Sequence, residues 1–598
     1  MTPRDSRQKT PTMASNPADA RRDVRYEPNE RPPRLLSLGL GMQHALLAVS
    51  GIVLGPTILI HTAGGSDAYL MWAVCTALAI CGITTAVQAV RVGHIGAGYV
   101  LLMGSSSAFL AVSVSALEQG GPGLLATLII VSSLFQFALA ARLSALRRIF
   151  TPTVAGTVVM LIPVTLAPVI LGKLTDVPDG ASPAAAPVTV GVTLLVIVVT
   201  ALRGSSLWRL WGPVVGIVAG TATGSLAFGL YDTAGIRQAG WMGLPPIAWP
   251  GLDLGFGPEF WALLPAFVLV TIVGAMDTLG DGVAIQRVSW RRPRAIDFRS
   301  IQGAMSADGL GNLLSGLAGT LPNTTYATGI SIVELTGVAA RSVGVCIGLI
   351  FVVIAFMPKL LAAIIAIPGP VVAGYFVLLV AKLFTFGIEI LQHEGLDPRK
   401  NVVVGLAFWI GLAFQLDWIF PECFQGPWSE MLGSAITAGG LTVIALTLFE
   451  ELTGPRRLRL RVTLSAEAYP KIDALLARLG ERRQWSEEMV DRVRAIGEET
   501  LLLLIGRQEE RTAGNGRQLL LVAGGERNAA VLEFIAATDE ANLEDRMALL
   551  GDRPVGGRME QEVPLRLLRH YASSVRHNQY HDTDVITIRV ESASNTKL

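Results

Sequence analysis

Residues 274–289 read GAMDTLGDGVAIQRVS and close an apolar run that extends from Phe260 to Ala284. Two carboxylates, Asp277 and Asp281, stand in a stretch otherwise suited to a membrane. An ionised side chain at the bilayer centre costs about 2.5–3.5 kcal/mol on insertion scales, so it usually faces a polar cavity, a solute or an ion. Residues at i and i+4 share one face of a helix, which puts both aspartates on the same side. A third acid, Asp308, lies just inside the next apolar run. The cluster implies a polar path through a membrane body.

The rest of the chain agrees. Of 598 residues, 51% are hydrophobic and 16% charged, with a mean hydropathy of +0.50; a soluble chain carries about 25% charged residues. Residues 455–598 hold 22 Lys/Arg and 22 Asp/Glu, 44 of the 95 charges in the chain. A membrane body followed by a water-facing C-terminal domain follows. The expected division is a disordered cytoplasmic tail at 1–33, a membrane domain at 34–452 and a small cytoplasmic α/β domain at 453–598. Cys75, Cys81, Cys346 and Cys423 are scattered, so neither a disulfide framework nor a zinc site is expected. No nucleophile–base set, phosphate loop or metal-ligand spacing is present. An enzyme, a cofactor and a nucleic-acid partner are therefore not expected.

Fourteen apolar runs of spanning or near-spanning length lie between residues 36 and 450. The third, with GSSSAF at 104–109, and the tenth, with PNTTYATGIS at 322–331, are too rich in Gly, Ser and Thr for plain lipid-facing helices. Irregular backbone at membrane depth is tolerated where it lines a cavity. Each is third in a set of seven, so the fold expected is a 7+7 inverted repeat with spans 3 and 10 broken. With the N-terminus inside, the cytoplasmic loops carry Arg91, Arg142, Arg147, Arg148, Arg203, Arg209, the arginines of 287–299, Arg341, Arg399 and Lys400. The other side shows little beyond Lys173, Arg237 and Lys359. This positive-inside pattern places both termini in the cytoplasm. In the tail, 458–464, LLLVAGG, AAVLEFIAA and DVITIRVE read as strands, and 466–480, 485–506 and 563–576 as helices.

Seven stretches in order, from LGLGMQHALLAVSGIVLGP (38–56) and GSSSAF through RRIFTPTVAGTVV (147–159), MDTLGDGVA (276–284), SADGLGNLLSGLAGTLPNTTY (306–326) and VELTGVAAR (333–341) to IPGPVVAGY (367–375), resemble the nucleobase–ascorbate transporter family. The resemblance implies fourteen spans, core and gate domains, an elevator-type motion, often a homodimer, and a small-molecule substrate carried with H⁺ or Na⁺. It puts Asp277 where the family usually has a glutamate that hydrogen-bonds a bound base. It puts Asp308 at an acidic position linked to transport, and His44 at the QH of span 1, where an imidazole could orient a carboxylate or carry a proton. Ser107 and Ala108 fall on the strand of span 3, and Tyr326, Ala327 and Thr328 on that of span 10. The proton-coupling candidates are thus Asp277, Asp281, Asp308 and His44. The family's span 10 signature departs here: Thr328 replaces a Glu or Gln, and only Thr336 of the motif remains. The substrate class implied is xanthine, urate or uracil; the alternatives are ascorbate or an anion on the same fold, or a membrane sensor signalling through its tail. The tail, around EEMVDRVRAIGEETLLLLI (487–505), resembles the ATPase fold of anti-sigma-factor and histidine kinases. The Asn that would hold Mg²⁺ is replaced by leucine and the DxGxG loop is absent, so a degenerate domain with a cytoplasmic protein partner is expected.

Overall fold

A computed structural model describes residues 24–146, 151–178, 180–292, 294–394, 398–419, 422, 432–453, 457–505, 517–526, 529–537, 542–548 and 559–591. The membrane body opens with α1 (Arg34–Thr62) and α2 (Asp67–Val90), then strand β1 (Met103–Ser105) and α3 (Leu110–Ala141). It continues through α4 (Pro152–Leu174), α5 (Ala185–Arg203), α6 (Ser206–Phe228), α7 (Pro258–Val288) and α8 (Phe298–Ala318). Strand β2 (Asn323–Thr325) leads into α9 (Ala327–Thr336), followed by α10 (Arg341–Ala355), α11 (Pro358–Ile365), α12 (Gly369–Glu394), α13 (Pro398–Gln415) and α14 (Ala435–Thr453). Among the described residues eight helices are long and apolar enough to cross a membrane, and α10 with α11, bent by 84°, supplies a ninth candidate. The chain is a multi-pass membrane protein. The remaining apolar runs fall on shorter or broken elements, so a total of fourteen rests on reading each of those as a crossing.

Local chemistry sets the boundaries. Ser66 caps α2 by accepting from the Tyr69 amide, and Asp297 caps α8 through the Arg299 amide, each satisfying an otherwise orphaned first-turn donor. The chain kinks inside α3 at Gly121, whose φ of 74° and ψ of −174° suit only a residue without Cβ. Pro122 then starts the second half. The third and fourth apolar runs are therefore two helices joined at one glycine.

Two bundles result. In one, α1, α2, α3, α7, α8, α9 and α10 pack around the two short strands; in the other, α4, α5, α6, α12, α13 and α14 pack together. They meet along a seam where α7 touches α4 and α14. We call them the core and the gate bundle. Close backbone approach through small residues holds helices together in lipid, where apolar burial gives no drive between them. Gly156 of α4 against Gly387 of α12 does this in the gate, and Gly82 of α2 against Gly348 of α10 in the core.

Residues 24–33 differ from the disordered tail expected of them. Tyr26 bridges Val338, and the Arg291 guanidinium donates to both oxygens of Glu30, at 2.8 and 2.6 Å, and to the carbonyls of Val24 and Arg25. This strap ties the α7–α8 and α9–α10 connections together. The earlier part of that tail lies outside the described residues.

The C-terminal domain is a five-stranded antiparallel sheet in the order β3 (Leu458–Thr463), β4 (Gln518–Glu526), β5 (Ala529–Ala536), β7 (Asp584–Glu591), β6 (Ser574–Gln579). Helices α15 (Tyr469–Arg483), α16 (Glu487–Ile505) and α17 (Met559–Tyr571) enclose a core against one sheet face, with Ile472, Val493, Leu521, Phe534 and Ile588 inside. The helix expected to run to residue 576 stops at Tyr571, and Ser574–Gln579 forms the edge strand β6. Strand alternation wins there: His577 and Gln579 are buried, and β7 offers the segment a hydrogen-bonding partner.

Candidate functional site

The two broken segments meet. β1 and β2 pair antiparallel, with Met103 opposite Thr325 and Ser105 opposite Asn323. The Tyr326 ring lies flat on Gly104, where a Cβ would come within 2.2 Å of it, and its hydroxyl donates to the Ser105 carbonyl at 2.9 Å. Ser105 Oγ donates to Ile52 of α1, and Thr85 of α2 accepts from the Met103 amide. Each strand then runs into the start of a helix: the turn Ser107–Phe109 enters α3, and Tyr326 enters α9. No side chain caps α9. The Gly329 amide is taken by the Tyr326 carbonyl at 3.0 Å, so the Ala327 and Thr328 amides and the partial positive charge of this end remain to meet an acceptor.

Helix α7 passes this crossing and contacts the Ser107–Phe109 turn, β2 and α9. Asp277, Ser107, Ala108, Tyr326, Ala327 and Thr328 thus belong to elements gathered at one place. Asp277 is half-buried, as are Ser107, Tyr326 and Thr328, while Ala327 is exposed despite its central position. Asp277 makes no hydrogen bond among the described residues. From Ala327 an exposed stripe continues at helical spacing through Ser331 to Glu334, and on α7 one continues from Asp277 through Gly280 to Arg287. Asp281 is buried one turn from Asp277 and pairs with no arginine of 287–299 among the described residues.

Unpartnered buried polar atoms concentrate here: Asp281 Oδ2, Asp308 Oδ1, Asn323 Oδ1 and the hydroxyls of Thr324 and Thr328, while the Thr325 hydroxyl lies beside the Asp281 carboxylate. A buried polar group without a partner costs about 1–3 kcal/mol. Such a concentration suits a site whose occupant supplies the partners. Cavities of about 200 Å³, beside Thr57, His61, Lys173 and Asp176, and about 230 Å³, beside Ser115, Gln119, Thr165 and Gln415, lie along the seam elsewhere.

Asp308 has a different setting. Its Oδ2 accepts from Gln136 Nε2 at 2.5 Å and Thr278 Oγ1 at 3.0 Å. Gln136 Oε1 accepts from Asn312 Nδ2 at 2.7 Å, and Asn312 Oδ1 from the Asn323 amide at 2.8 Å. Asn323 Nδ2 reaches Thr84 Oγ1 at 3.2 Å. This relay joins α7, α8, α3, β2 and α2, so Asp308 positions the strand crossing from behind. Sequence reading missed Gln136, Asn312, Asn323, Thr278 and Thr84. The amides of Gln136 and Asn312 inside apolar runs were the signal available. His44 is buried, its Nδ1 donating to the Leu40 carbonyl at 2.8 Å, and its ring lies beside the Gly329 backbone at the start of α9. No hydrogen bond joins it to the aspartates among the described residues.

Residues 36–417 match a model described as a permease family, of xanthine and uric acid permease type. A Clostridium perfringens protein named as a purine permease is 31% identical over 424 residues, 68% of this chain and 88% of that one. The xanthine permease XanP of Escherichia coli is 28% identical over 443 residues, covering 71% and 94%. The uric acid permease PucK of Bacillus subtilis is 27% identical over 424 residues, covering 70% and 96%. Among solved structures, the transmembrane domain of a cyanobacterial bicarbonate transporter, BicA, overlays with a TM-score of 0.44 at 16% identity over 71% of this chain and 100% of that one, too distant to carry an argument. The family match spans well over half of the chain, and on it this chain belongs to the nucleobase–ascorbate transporter family of permeases.

Proposed function

We propose that this permease carries a nucleobase-like solute of the xanthine, urate or uracil class by proton-coupled symport. In this reading Asp277 accepts ring N–H donors, and the first-turn amides of α9 with the Ser107 and Thr328 hydroxyls meet the carbonyl edge. A half-buried carboxylate without a hydrogen bond, on the helix that passes the meeting point of two half-helices, is the observation that carries it. A planar solute with donors on one edge and acceptors on the other would satisfy the orphaned groups together. The core bundle would then move past the gate bundle, an elevator motion supported by the division of the helices into two packed sets. A proton would reach Asp277 or Asp281, the acids whose carboxylates are not held in the Gln136–Asn312 relay as Asp308 is. Fourteen crossings, both termini in the cytoplasm and a homodimer complete the proposal.

The test is ligand-induced thermal stabilisation of the purified protein with purines, pyrimidines, ascorbate and simple anions, with Asp277→Asn alongside. Stabilisation by a nucleobase that vanishes in Asp277→Asn supports the reading. Stabilisation by ascorbate or an anion alone removes it.

A further inference from the structure

The C-terminal domain is seated on the membrane body through one turn. Between β6 and β7 the chain reverses over Tyr580–Thr583, with the Tyr580 amide donating to Thr583 O, and this turn enters a socket. Tyr580 and Val585 are buried in the apolar core of the membrane body, and the Tyr580 ring lies 5.2 Å from that of Phe298. Gln302, in the second turn of α8 and almost fully buried, is held from two sides. Its Nε2 donates to Ala140 O of α3 at 2.9 Å, while its Oε1 accepts from the His581 amide at 2.9 Å. Those partners fix the orientation of the amide: a flipped Gln302 would turn an oxygen to a carbonyl and an N–H to an N–H. The same Oε1 lies 3.0 Å from His581 Nδ1, so Nδ1 carries the proton and a second one would enter at Nε2. Asp582 accepts from Ser144, Gln579 from Arg299 and Asp545 from the Ala295 amide.

All these partners stand on the core bundle or its connections. The socket is also cationic. The His94 ring meets His581 edge-on, centroids 4.6 Å apart, with Arg91 and Arg299 near and Asp297 opposing them.

We propose that the C-terminal domain is a latch on the core bundle, seated through Tyr580–Thr583 and released when His581, which meets His94 edge-on in the socket, takes up a proton. The latch fastens to the bundle that carries Asp277, so its state bears on how that bundle moves past the other. Burial first, then His94, Arg91 and Arg299, hold the docked His581 below the ordinary histidine range, while Asp297 opposes them. The docked form therefore binds the proton less readily than the free form. Docking is at full strength above the ordinary histidine value of about 6.5 and weakens as pH falls below it.

Hydrogen exchange of the full-length protein in detergent tests this, read at amides 580–584 with α15 and α16 as the internal reference. After correction for intrinsic rates, protection of the turn should drop severalfold between about pH 7.5 and about pH 5.5, as the undocked histidine takes up the proton that the docked ring resists. His94→Gln should make the drop smaller without abolishing it, because burial of His581 remains, and Gln302→Ala should expose the turn at both. Equal protection of the wild type at both values overturns the proposal, as does a His94→Gln variant that responds to pH as the wild type does. An unaffected turn in Gln302→Ala also overturns it. Exposure of α15 and α16 together with the turn would mean unfolding rather than undocking and would overturn it as well.

Discussion

Replacing Gln136 by leucine removes the centre of the relay behind the strand crossing while nearly conserving volume. Asp308 Oδ2 loses the shorter of its two hydrogen bonds and Asn312 Nδ2 loses its acceptor. A hydrogen bond to a charged group is worth about 1.5–3 kcal/mol, and a neutral side-chain bond between membrane helices about 0.6–2 kcal/mol. Together they predict a loss of about 2–5 kcal/mol, concentrated where α3 and α8 hold β2. Because Asn312 also fixes the Asn323 amide, the strand register should loosen and solute binding should weaken with stability. The assay is thermal unfolding of the purified protein with and without the stabilising nucleobase. A double-mutant cycle with Asn312→Leu should give a coupling energy of about 0.5 kcal/mol or more, since the two side chains bond each other. Unfolding of Gln136→Leu at the wild-type temperature, or strict additivity in the cycle, would refute the relay as the support of the site.

Asp277→Asn should leave the fold intact and weaken binding of the nucleobase by about 10–100-fold, the loss of a charge-assisted pair of bonds, measured by equilibrium binding of radiolabelled solute. Gly104→Ala should abolish binding with Asp277 untouched, because the Tyr326 ring must leave the strand; equilibrium binding beside Tyr326→Phe separates the ring's displacement from loss of its hydroxyl. Gly121→Ala forces a side chain into a backbone region reserved for glycine at a cost of about 1–3 kcal/mol, which thermal unfolding would register. In the N-terminal strap, the Arg291 guanidinium holds the Glu30 carboxyl below its usual range. The strap should therefore stay docked above the ordinary glutamate value of about 4.3 and release as pH falls below it; amide exchange at residues 24–31 would follow this, with Arg291→Ala released throughout.

Much was legible without coordinates, for physical reasons that act locally. Apolar runs separated by arginine-bearing loops mark a polytopic membrane body, because a bilayer rejects charge wherever in the fold it falls. The Gly-, Ser- and Thr-rich stretches at 104–109 and 322–331 mark broken spans, because unpaired backbone cannot face lipid. The aspartates of α7 mark a polar site, because burying them against hydrocarbon would be costly. Tertiary structure alone decided which polar groups meet. Gln136 and Asn312 lie 176 residues apart, and no local pattern says that one amide completes the other. Asp308 resembled a transport acid by position, yet its Oδ2 is committed to Gln136 and Thr278, and His44 is bonded to its own helix. The edge strand β6 read as helix because its apolar and polar spacing suits either; the partner strand β7 decided. Composition separates tail from membrane body, but the seating of one turn against Gln302 depends on surfaces that only the folded chain creates.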